Sequence, residues 1–243
     1  MLHSTKYRNR ILAQLPTEEL QALAPHLEPI ELEIGFLLVS AGRKVDYVYF
    51  LEGGLGSVVA VSPKGEKAEA GMFGLEGFAP TPPVVGFDIS INEVVIQSPG
   101  KAHRIEVASL WKLIEHCRVL TSLLQRASHN LATQVSYTAL SNGIHHIDVR
   151  LARWLLMCQD RVGSEIEITH NYIALMLAVR RPSVTDALHV LEGNGFIRSE
   201  RKRVIIRNRP ALEDFAGGAY GKPEDEYKLL FGGFFRETTD TAR

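Results

Sequence analysis

Residues 168–197 constrain the fold of this chain more than any other segment. They read ITHNYIALMLAVRRPSVTDALHVLEGNGFI, in which apolar residues recur at three- and four-residue steps in two runs separated by Ala178-Val179. Such steps place the apolar residues of each run on one side of a helix. Thr169 suits the N-cap of the first run, and Pro182 suits the first turn of the second, where its missing amide has no intrahelical partner to lose. The pattern predicts two helices joined by a tight turn, the second from about Arg180 to Leu191.

The turn between these helices carries Ala178, at a place where a helix-turn-helix usually has glycine. If Ala178 adopts a positive φ, the conformation costs on the order of 1 kcal/mol relative to glycine. A packed domain can absorb a cost of that size.

Two short strands are predicted to follow the second helix. Gly193-Asn194-Gly195 is a strong helix stop. The segments Phe196–Ser199 and Val204–Arg207 then read as strands around the turn Glu200–Arg203. A β-hairpin directly after two such helices makes the block a winged helix-turn-helix, which we place at residues 143–210.

The predicted outer side of the second helix is rich in groups that hydrogen-bond to phosphates and to base edges. They are Arg180, Arg181, Ser183, Thr185, Asp186 and His189. Residues 144–210 carry eleven Lys and Arg against seven Asp and Glu, whereas the parts before and after them carry net charges of −2 and −3. This distribution is typical of a DNA-binding module in an otherwise acidic chain. The alternative is an ordinary helix pair whose arginines are simply solvated.

Residues 1–118 are predicted to form an antiparallel β-roll preceded by short helices. Residues 8–27 have helical periodicity, with Pro16 to Glu19 opening a second helix, and glycine-punctuated strands follow up to Ile105. The predicted strands are Ile30–Ile34, Phe36–Val39, Val45–Leu51, Gly56–Val61, Ala68–Phe73, Asn92–Ile96 and Ala102–Ile105. Several short strands at such spacing favour a barrel or roll. The predicted fold class is therefore α+β.

Residues 119–142 are predicted to form one long helix that pairs with a copy of itself, because an apolar stripe repeats along it at three- and four-residue steps. The dimerisation candidates are Leu120, Leu123, Leu124, Ala127, Leu131, Val135 and Thr138. The alternative is that this stripe packs on the roll of its own subunit. Ser141-Asn142-Gly143 is expected to end the helix, and another helix begins within Ile144–Gln159. Residues 211–243 are interpreted as a tail or a short helix.

The composition of the chain narrows the function classes. A hydrophobic fraction of 45% with 23% charged residues matches a soluble globular protein, and no apolar run approaches the ~20 residues that span a bilayer. The N-terminus lacks the apolar core of a secretory signal. The two cysteines, Cys117 and Cys158, are far apart in the sequence, which predicts a protein without a disulfide framework in the reducing cytoplasm. No phosphate-binding Gly-Lys loop, Gly-x-Ser-x-Gly motif or carboxylate–histidine set points to an enzyme.

The histidines are interpreted as surface groups rather than ligands. His116 and His129 are conceivable haem ligands, and His145 and His146 with Asp148 are conceivable ligands of a metal ion. Single histidines on helices are more often solvated or capped, so neither a metal site nor haem is predicted. No N-terminal cysteine cluster is present for an iron–sulfur centre.

A β-roll, a long helix and a C-terminal winged helix, in that order, resemble the Crp–Fnr family of bacterial transcription regulators. The resemblance covers residues 10–210. It is carried by Arg150–Arg161 (RLARWLLMCQDR), residues 168–197 and the roll segment Phe73–Phe78 (FGLEGF). It implies a homodimer on double-stranded DNA, with the second helices in two major grooves about 34 Å apart on a two-fold symmetric operator. RNA polymerase is left open as a further partner.

The resemblance also implies roles for individual residues. Arg181, Ser183 and Asp186 fall where the family's base-reading side chains sit, and a guanidinium such as that of Arg181 can grip guanine O6 and N7 with two bonds. The phosphate candidates, which would position the protein without reading sequence, are Thr169, Asn171, Arg180, His189, Arg201, Lys202 and Arg203.

The sequence departs from the family at the cyclic-nucleotide site. Family members that bind cyclic nucleotides hold the phosphate with a Gly-Glu element and an arginine. Here Gly74, Glu76 and Gly77 form the candidate effector pocket, but Ser90-Ile91-Asn92-Glu93 stands where the arginine is expected. Losing a charge-assisted pair removes hydrogen bonds worth about 1.5–3 kcal/mol each. Cyclic AMP binding is therefore not expected. No cofactor is predicted, and an unknown small effector stays open.

The sequence thus predicts a dimeric, sequence-specific transcription regulator that is not controlled by cyclic AMP. The alternative is a ligand-binding or protein-interaction module whose winged helix docks another protein. The arginine-rich first turn and the basic wing argue against that alternative, because a protein-docking face would expose more apolar surface.

Overall fold

The computed structural model describes residues 7–232, which form two compact units. One unit contains residues 7–61 together with Met72–Leu131, and the other contains Ser62–Gly71 together with residues 132–232. None of the helices described is long and apolar enough to cross a membrane.

The described residues begin with the short helices expected between residues 8 and 27. They are α1 (Arg10–Ala13), α2 (Thr17–Leu23) and one 3-10 turn (Ala24–His26). Asn9 caps α1, since its side-chain oxygen accepts from the amides of Ile11 and Leu12. The Asn9 amide is fully buried and donates to the carbonyls of Leu51, at the end of the strand Tyr47–Leu51, and of Gly77, in a loop, which anchors α1 on this part of the unit.

Nine strands form the expected antiparallel roll. They are β1 (Glu28–Leu32), β2 (Leu37–Val39), β3 (Arg43–Lys44), β4 (Tyr47–Leu51), β5 (Leu55–Val61), β6 (Lys67–Phe73), β7 (Ile89–Ser90), β8 (Glu93–Ser98) and β9 (Gly100–Glu106). The sheet orders are β1-β9-β4, β2-β8-β5-β6 and β3-β7. All seven predicted strands are present with shifted ends. The sequence missed β3 and β7, because two residues are too few to show an alternating pattern.

A close contact in the roll explains one of its glycines. A Cβ atom at Gly56 would lie 2.2 Å from Cζ of Phe73, so the aromatic ring packs directly on the backbone of β5. Phe73 itself is buried.

Two helices follow the roll, α3 (Val107–Ile114) and the 27-residue α4 (Arg118–Ile144). The predicted helix end at Ser141-Asn142-Gly143 lies slightly too early, since α4 continues to Ile144 and the next helix begins at Ile147. The backbone bond from the His145 amide to the Ser141 carbonyl spans the segment at 3.0 Å, and Ser141 is buried. A glycine inside a helix costs only about 1 kcal/mol, which packing at Ser141 and the continued backbone bonding outweigh.

The remaining elements build the C-terminal unit. They are α5 (Ile147–Val162), β10 (Glu165–Glu167), α6 (His170–Met176), α7 (Arg181–Gly193), β11 (Ile197–Glu200), β12 (Arg203–Ile206), α8 (Arg209–Ala216) and α9 (Lys222–Phe231). Strands β10, β12 and β11 form one antiparallel sheet. Two helices and a hairpin confirm the predicted winged helix-turn-helix. The sequence missed β10, a three-residue strand whose single buried side chain, Ile166, carries no readable period.

Helix α5 is the centre of this unit, because all eight residues from Leu151 to Cys158 are buried. Trp154 on α5 donates its ring N–H to the buried carboxylate of Glu69 at 2.8 Å, which fastens the segment Ser62–Gly71 to the unit. The stretch 211–243, interpreted as a tail or a short helix, contains α9 and all of α8 except its first two residues. The part of that stretch from residue 233 to 243 lies outside the described residues.

Candidate DNA interface

The recognition helix α7 is oriented by its apolar side. Val184, Ala187, Leu188 and Leu191 are buried, and the helix packs on α5. A helix that buries one side must turn the opposite side outward. Arg181, Asp186 and His189 are accordingly exposed, whereas Ser183 and Thr185 are half-buried.

The charged groups on this outer side are available to a ligand. Among residues 7–232, no ion pair involves Arg180, Arg181 or Asp186. Arg180 is exposed as the N-cap residue of α7, and Pro182 occupies the first turn as expected. The exposed cations can therefore meet phosphate or base edges without first breaking an internal pair.

Helix α6 begins where the sequence predicts. The Thr169 hydroxyl accepts from the Tyr172 amide at 3.2 Å, which satisfies one of the free donors of the first turn. Thr169 and Asn171 are both exposed at this end of the helix.

In the turn between α6 and α7, Ala178 has a φ of 51°, so the condition stated for this residue in the sequence analysis is met. The geometry of the turn is held by Arg150, a residue that sequence reasoning missed. The Arg150 Nη2 group donates to the Leu177 carbonyl at 2.5 Å, while its Nε group is buried without an acceptor among the described residues. Burial lowers the pKa of Arg150. The signal was the arginine that opens RLARWLL, the helix segment just before the predicted reader.

Arg153, one turn further along α5, connects that helix to α4. Its guanidinium is buried and donates to the Thr138 hydroxyl at 3.1 Å and the Gln134 carbonyl at 3.4 Å. Burial lowers the pKa of Arg153. Thr138, a dimerisation candidate, therefore directs its hydroxyl toward α5 of its own chain.

His170 also lies on the outer side, next to the recognition helix, and was not among the predicted site residues. Its Nδ1 atom is 3.3 Å from the Thr185 hydroxyl on α7. Burial and the nearby charges of Arg181 and His189 lower the pKa of His170. The ring therefore connects the two helices of the motif.

The basic residues of the β11–β12 hairpin divide into two groups. Arg203 is held in ion pairs with Glu200 and, at 2.8 Å, with Glu165. Arg201 and Lys202 occupy the two-residue turn, and both are exposed. Of the seven phosphate candidates, Arg203 is the only one that forms an ion pair within the described residues.

The dimerisation candidates on α4 differ in exposure. Leu120, Leu123, Leu124 and Ala127 are buried within the single chain, as the packing alternative expects of them. Leu131 is half-buried, and Val135 is 36% exposed. The second half of α4 thus offers the apolar surface that a partner helix could cover.

The candidate effector pocket, Gly74, Glu76 and Gly77, is buried. The N-terminal segment bonds to this loop, since the Arg10 amide donates to the Leu75 carbonyl at 2.8 Å and Asn9 donates to the Gly77 carbonyl. At the position where an arginine was expected, Ser90 is buried and donates its hydroxyl to the Asn92 carbonyl at 2.7 Å.

A charged network supports the unit behind the interface, and the sequence did not reveal it. Arg209, at the start of α8, donates to the Asp160 carboxylate at 2.7 Å, and the Tyr220 hydroxyl donates to the other Asp160 oxygen at 2.6 Å. Burial raises the pKa of Asp160, and the positive charge of Arg209 opposes that rise. The partners lie 49 and 60 residues from Asp160, beyond the reach of any local pattern.

Comparison with known proteins agrees with this geometry. Residues 149–215 match the model of the Crp-like helix-turn-helix domain. The chain is 25% identical over 207 residues to the CRP-like cAMP-activated global transcriptional regulator of Mycobacterium tuberculosis, covering 79% of this chain and 89% of that protein. It is 31% identical over 136 residues to the transcriptional regulator LdrP of Thermus thermophilus, covering 49% of this chain and 69% of LdrP.

Solved structures resemble the fold. The structure of FixK2 from Bradyrhizobium japonicum aligns with a TM-score of 0.67 at 14% identity, covering 79% of this chain and 98% of that one. A regulator of the crp/fnr family from Eubacterium rectale aligns with a TM-score of 0.65 at 15% identity, covering 83% and 95%.

Proposed function

The chain belongs to the Crp–Fnr family and is a DNA-binding transcription regulator, and we propose that it acts as a homodimer in the cytoplasm. Each subunit places α7 in the major groove of one half of a two-fold symmetric operator. The observation that carries this proposal is the outer side of α7. Its charged side chains are exposed and form no ion pairs within the described residues, while the opposite side of the helix is buried.

Base reading is assigned to Arg181, Ser183 and Asp186 of α7. The exposed Arg181 guanidinium can donate to O6 and N7 of one guanine, and the Asp186 carboxylate can accept from a cytosine amine. Ser183 is half-buried in the first turn, so its hydroxyl serves a base edge only at close approach.

Phosphate binding is assigned to a set of residues around the reading helix, which are Thr169, Asn171, Arg180, His189, Arg201 and Lys202. Arg203 instead stabilises the hairpin through its ion pairs. Protein cations that replace counterions on phosphates make the affinity fall steeply with salt. The logarithm of the binding constant falls with the logarithm of the salt concentration with a slope of about −0.9 per phosphate contact.

Dimerisation is assigned to the second half of α4. Leu131 and Val135 retain apolar surface there, whereas the first half of the stripe is already buried. A helix pair needs such a stripe on each member, and two-fold symmetric DNA matches a two-fold symmetric protein.

Control by cyclic AMP is not part of the proposed function. Within the described residues of the roll unit, the buried polar side chains are Asn9, Ser57, Glu76, Ser90 and Gln97, and none of them is a cation. A buried phosphodiester anion without a cation loses its charge-assisted bonds. We expect no heat of binding in a calorimetric titration with cyclic AMP, and micromolar affinity would contradict the proposal.

The direct test is selection of genomic DNA fragments by the purified protein, read by sequencing. We expect an enriched two-fold symmetric motif. Arg181→Ala should remove the preference at one base pair per half-site and cost about 1–3 kcal/mol there. Arg43→Ala, which removes an exposed arginine from β3 of the roll, is the matched control and should leave the motif unchanged. Unchanged specificity in the Arg181 variant would contradict the assignment of α7.

A further inference from the structure

We propose that Arg201 enters the minor groove beside each half-site and makes the regulator prefer A·T pairs there. This inference rests on the proposed function, because it takes α7 to lie in the major groove. The inference goes beyond the proposed function, since Arg201 then reads the shape of the flanking DNA in addition to contacting phosphate.

The hairpin has a neutralised shaft and a basic tip. On the shaft, Arg198 pairs with Glu200 at 2.9 Å, and Arg203 pairs with Glu200 and Glu165. At the tip, which consists of Arg201 and Lys202, neither side chain has a carboxylate within 4 Å among the described residues. Positive charge available to DNA is therefore concentrated at the two outermost residues.

The backbone of the tip is fixed in place. Glu200 pairs with Arg203 across the hairpin, so Arg201 and Lys202 alone make the turn, and Lys202 has a φ of 61°. A left-handed residue in a two-residue turn is normally glycine or asparagine. The left-handed backbone at Lys202 closes the turn, and Arg201, the other residue of the tip, is not left-handed.

A backbone bond ties the tip to the helix-turn-helix. The Ile168 amide donates to the Lys202 carbonyl at 2.9 Å, directly before Thr169, the N-cap of α6. The tip therefore stands beside the α6 end that carries the exposed phosphate candidates Thr169 and Asn171. Grooves alternate along B-DNA within each ~34 Å turn, so with α7 in the major groove the proposal places the tip across the phosphate backbone contacted by Thr169 and Asn171, in the adjoining minor groove.

The chemistry of the minor groove selects arginine at that place. A·T-rich segments have a narrow minor groove with enhanced negative potential, which attracts inserted cations. A guanine adds an amino group to the groove floor and changes its pattern. Arginine enters more readily than lysine, because its guanidinium is more weakly hydrated.

The test uses the selected operator core with three flanks, A·T, G·C and inosine·cytosine, in fluorescence anisotropy at one salt concentration. Inosine lacks the guanine amino group, so its pair with cytosine matches A·T in the minor groove and G·C in the major groove. We expect the wild type to bind the A·T and inosine flanks alike and the G·C flank at least about fivefold more weakly.

Three variants complete the test, each checked for its fold by circular dichroism. Arg201→Ala should bind all three flanks with equal affinity, and Arg201→Lys should discriminate less because it binds the A·T and inosine flanks more weakly than the wild type does. Arg207→Ala removes an exposed arginine just after β12 and is the control, which should discriminate as the wild type does.

Several results would overturn the inference. They are equal affinity of the wild type for A·T and G·C flanks, an inosine flank that behaves like G·C, or full discrimination in Arg201→Ala. A scrambled core separates this failure from that of the proposed function. If the wild type binds scrambled and selected cores equally, sequence-specific recognition itself fails and the inference fails with it.

Discussion

Replacing Arg209 with methionine should destabilise the C-terminal unit, because it removes the cation that pairs with the buried carboxylate of Asp160. The Asp160 side chain is 1% exposed, and Arg209 is 21% exposed beside it. Methionine retains an apolar stem of similar length, so the substitution removes the charge and its hydrogen bonds more than the packing. Asp160 then keeps the Tyr220 hydroxyl as its donor.

The expected cost follows from this geometry. Removing one partner of a buried ion pair costs about 3–5 kcal/mol, because the remaining charge is left uncompensated. The Tyr220 bond and the partial exposure of Arg209 place this case near the lower end, at about 3 kcal/mol. In the double variant D160N/R209M position 160 no longer carries a charge that needs a cation, and the deficit should shrink to the roughly 1–2 kcal/mol of lost hydrogen bonds.

The deficit should also depend on pH, with a sign set by Asp160. Burial raises the pKa of its carboxyl above that of the unfolded chain, and loss of Arg209 removes the opposing effect and raises the pKa further. A group with a raised pKa stabilises the fold when protonated, and that contribution is lost as pH rises through the folded-state value. The deficit of R209M relative to the wild type should therefore shrink as pH falls from 7 toward the unfolded value of about 4.

Urea unfolding followed by fluorescence measures these differences. Trp154 lies in the same unit as Asp160, so a W111F background restricts the signal to that unit. A deficit below about 1 kcal/mol at pH 7, or one that stays constant down to pH 4.5, would refute the reasoning, because either result means that Asp160 does not need its cation.

Three further predictions follow from local features. Ala178→Gly should stabilise the protein by about 0.5–1 kcal/mol in urea unfolding, because φ is 51° there; a loss of stability would show that the Ala178 methyl packs usefully. Thr169→Ala should cost about 1 kcal/mol by removing the cap of α6, and Thr169→Asp should restore it; equal stability of the two variants would contradict the cap. Val135→Glu should convert the dimer to a monomer in light-scattering chromatography, whereas Leu140→Glu, at a residue 49% exposed and about 140° away around α4, should not. A dimeric Val135 variant would contradict the assigned interface.

Much of the interface could be predicted from the sequence, because its signals are local. The Thr169 cap, the positive φ of Ala178 and the outward side of α7 all follow from residues within one or two helical turns of each other. The same local reasoning placed the end of α4 slightly too early, at Ser141-Asn142-Gly143 instead of Ile144. Propensity there favours a helix end by a small free energy, and the packing of buried Ser141 outweighs it.

Tertiary structure decided which surfaces and charges meet. The stripe on α4 is one periodic pattern in the sequence, yet its first half is buried in the chain and its second half is not. The grip of Arg150 on the Leu177 carbonyl spans 27 residues, and the pair of Asp160 with Arg209 spans 49. Sequence by itself determined which side of each helix is apolar and where helices α6 and α7 begin, since periodicity and capping act between near neighbours along the chain. Which element covers that side, and which distant cation compensates a buried carboxylate, was decided only by the fold, since those interactions depend on distances in space that no local pattern encodes.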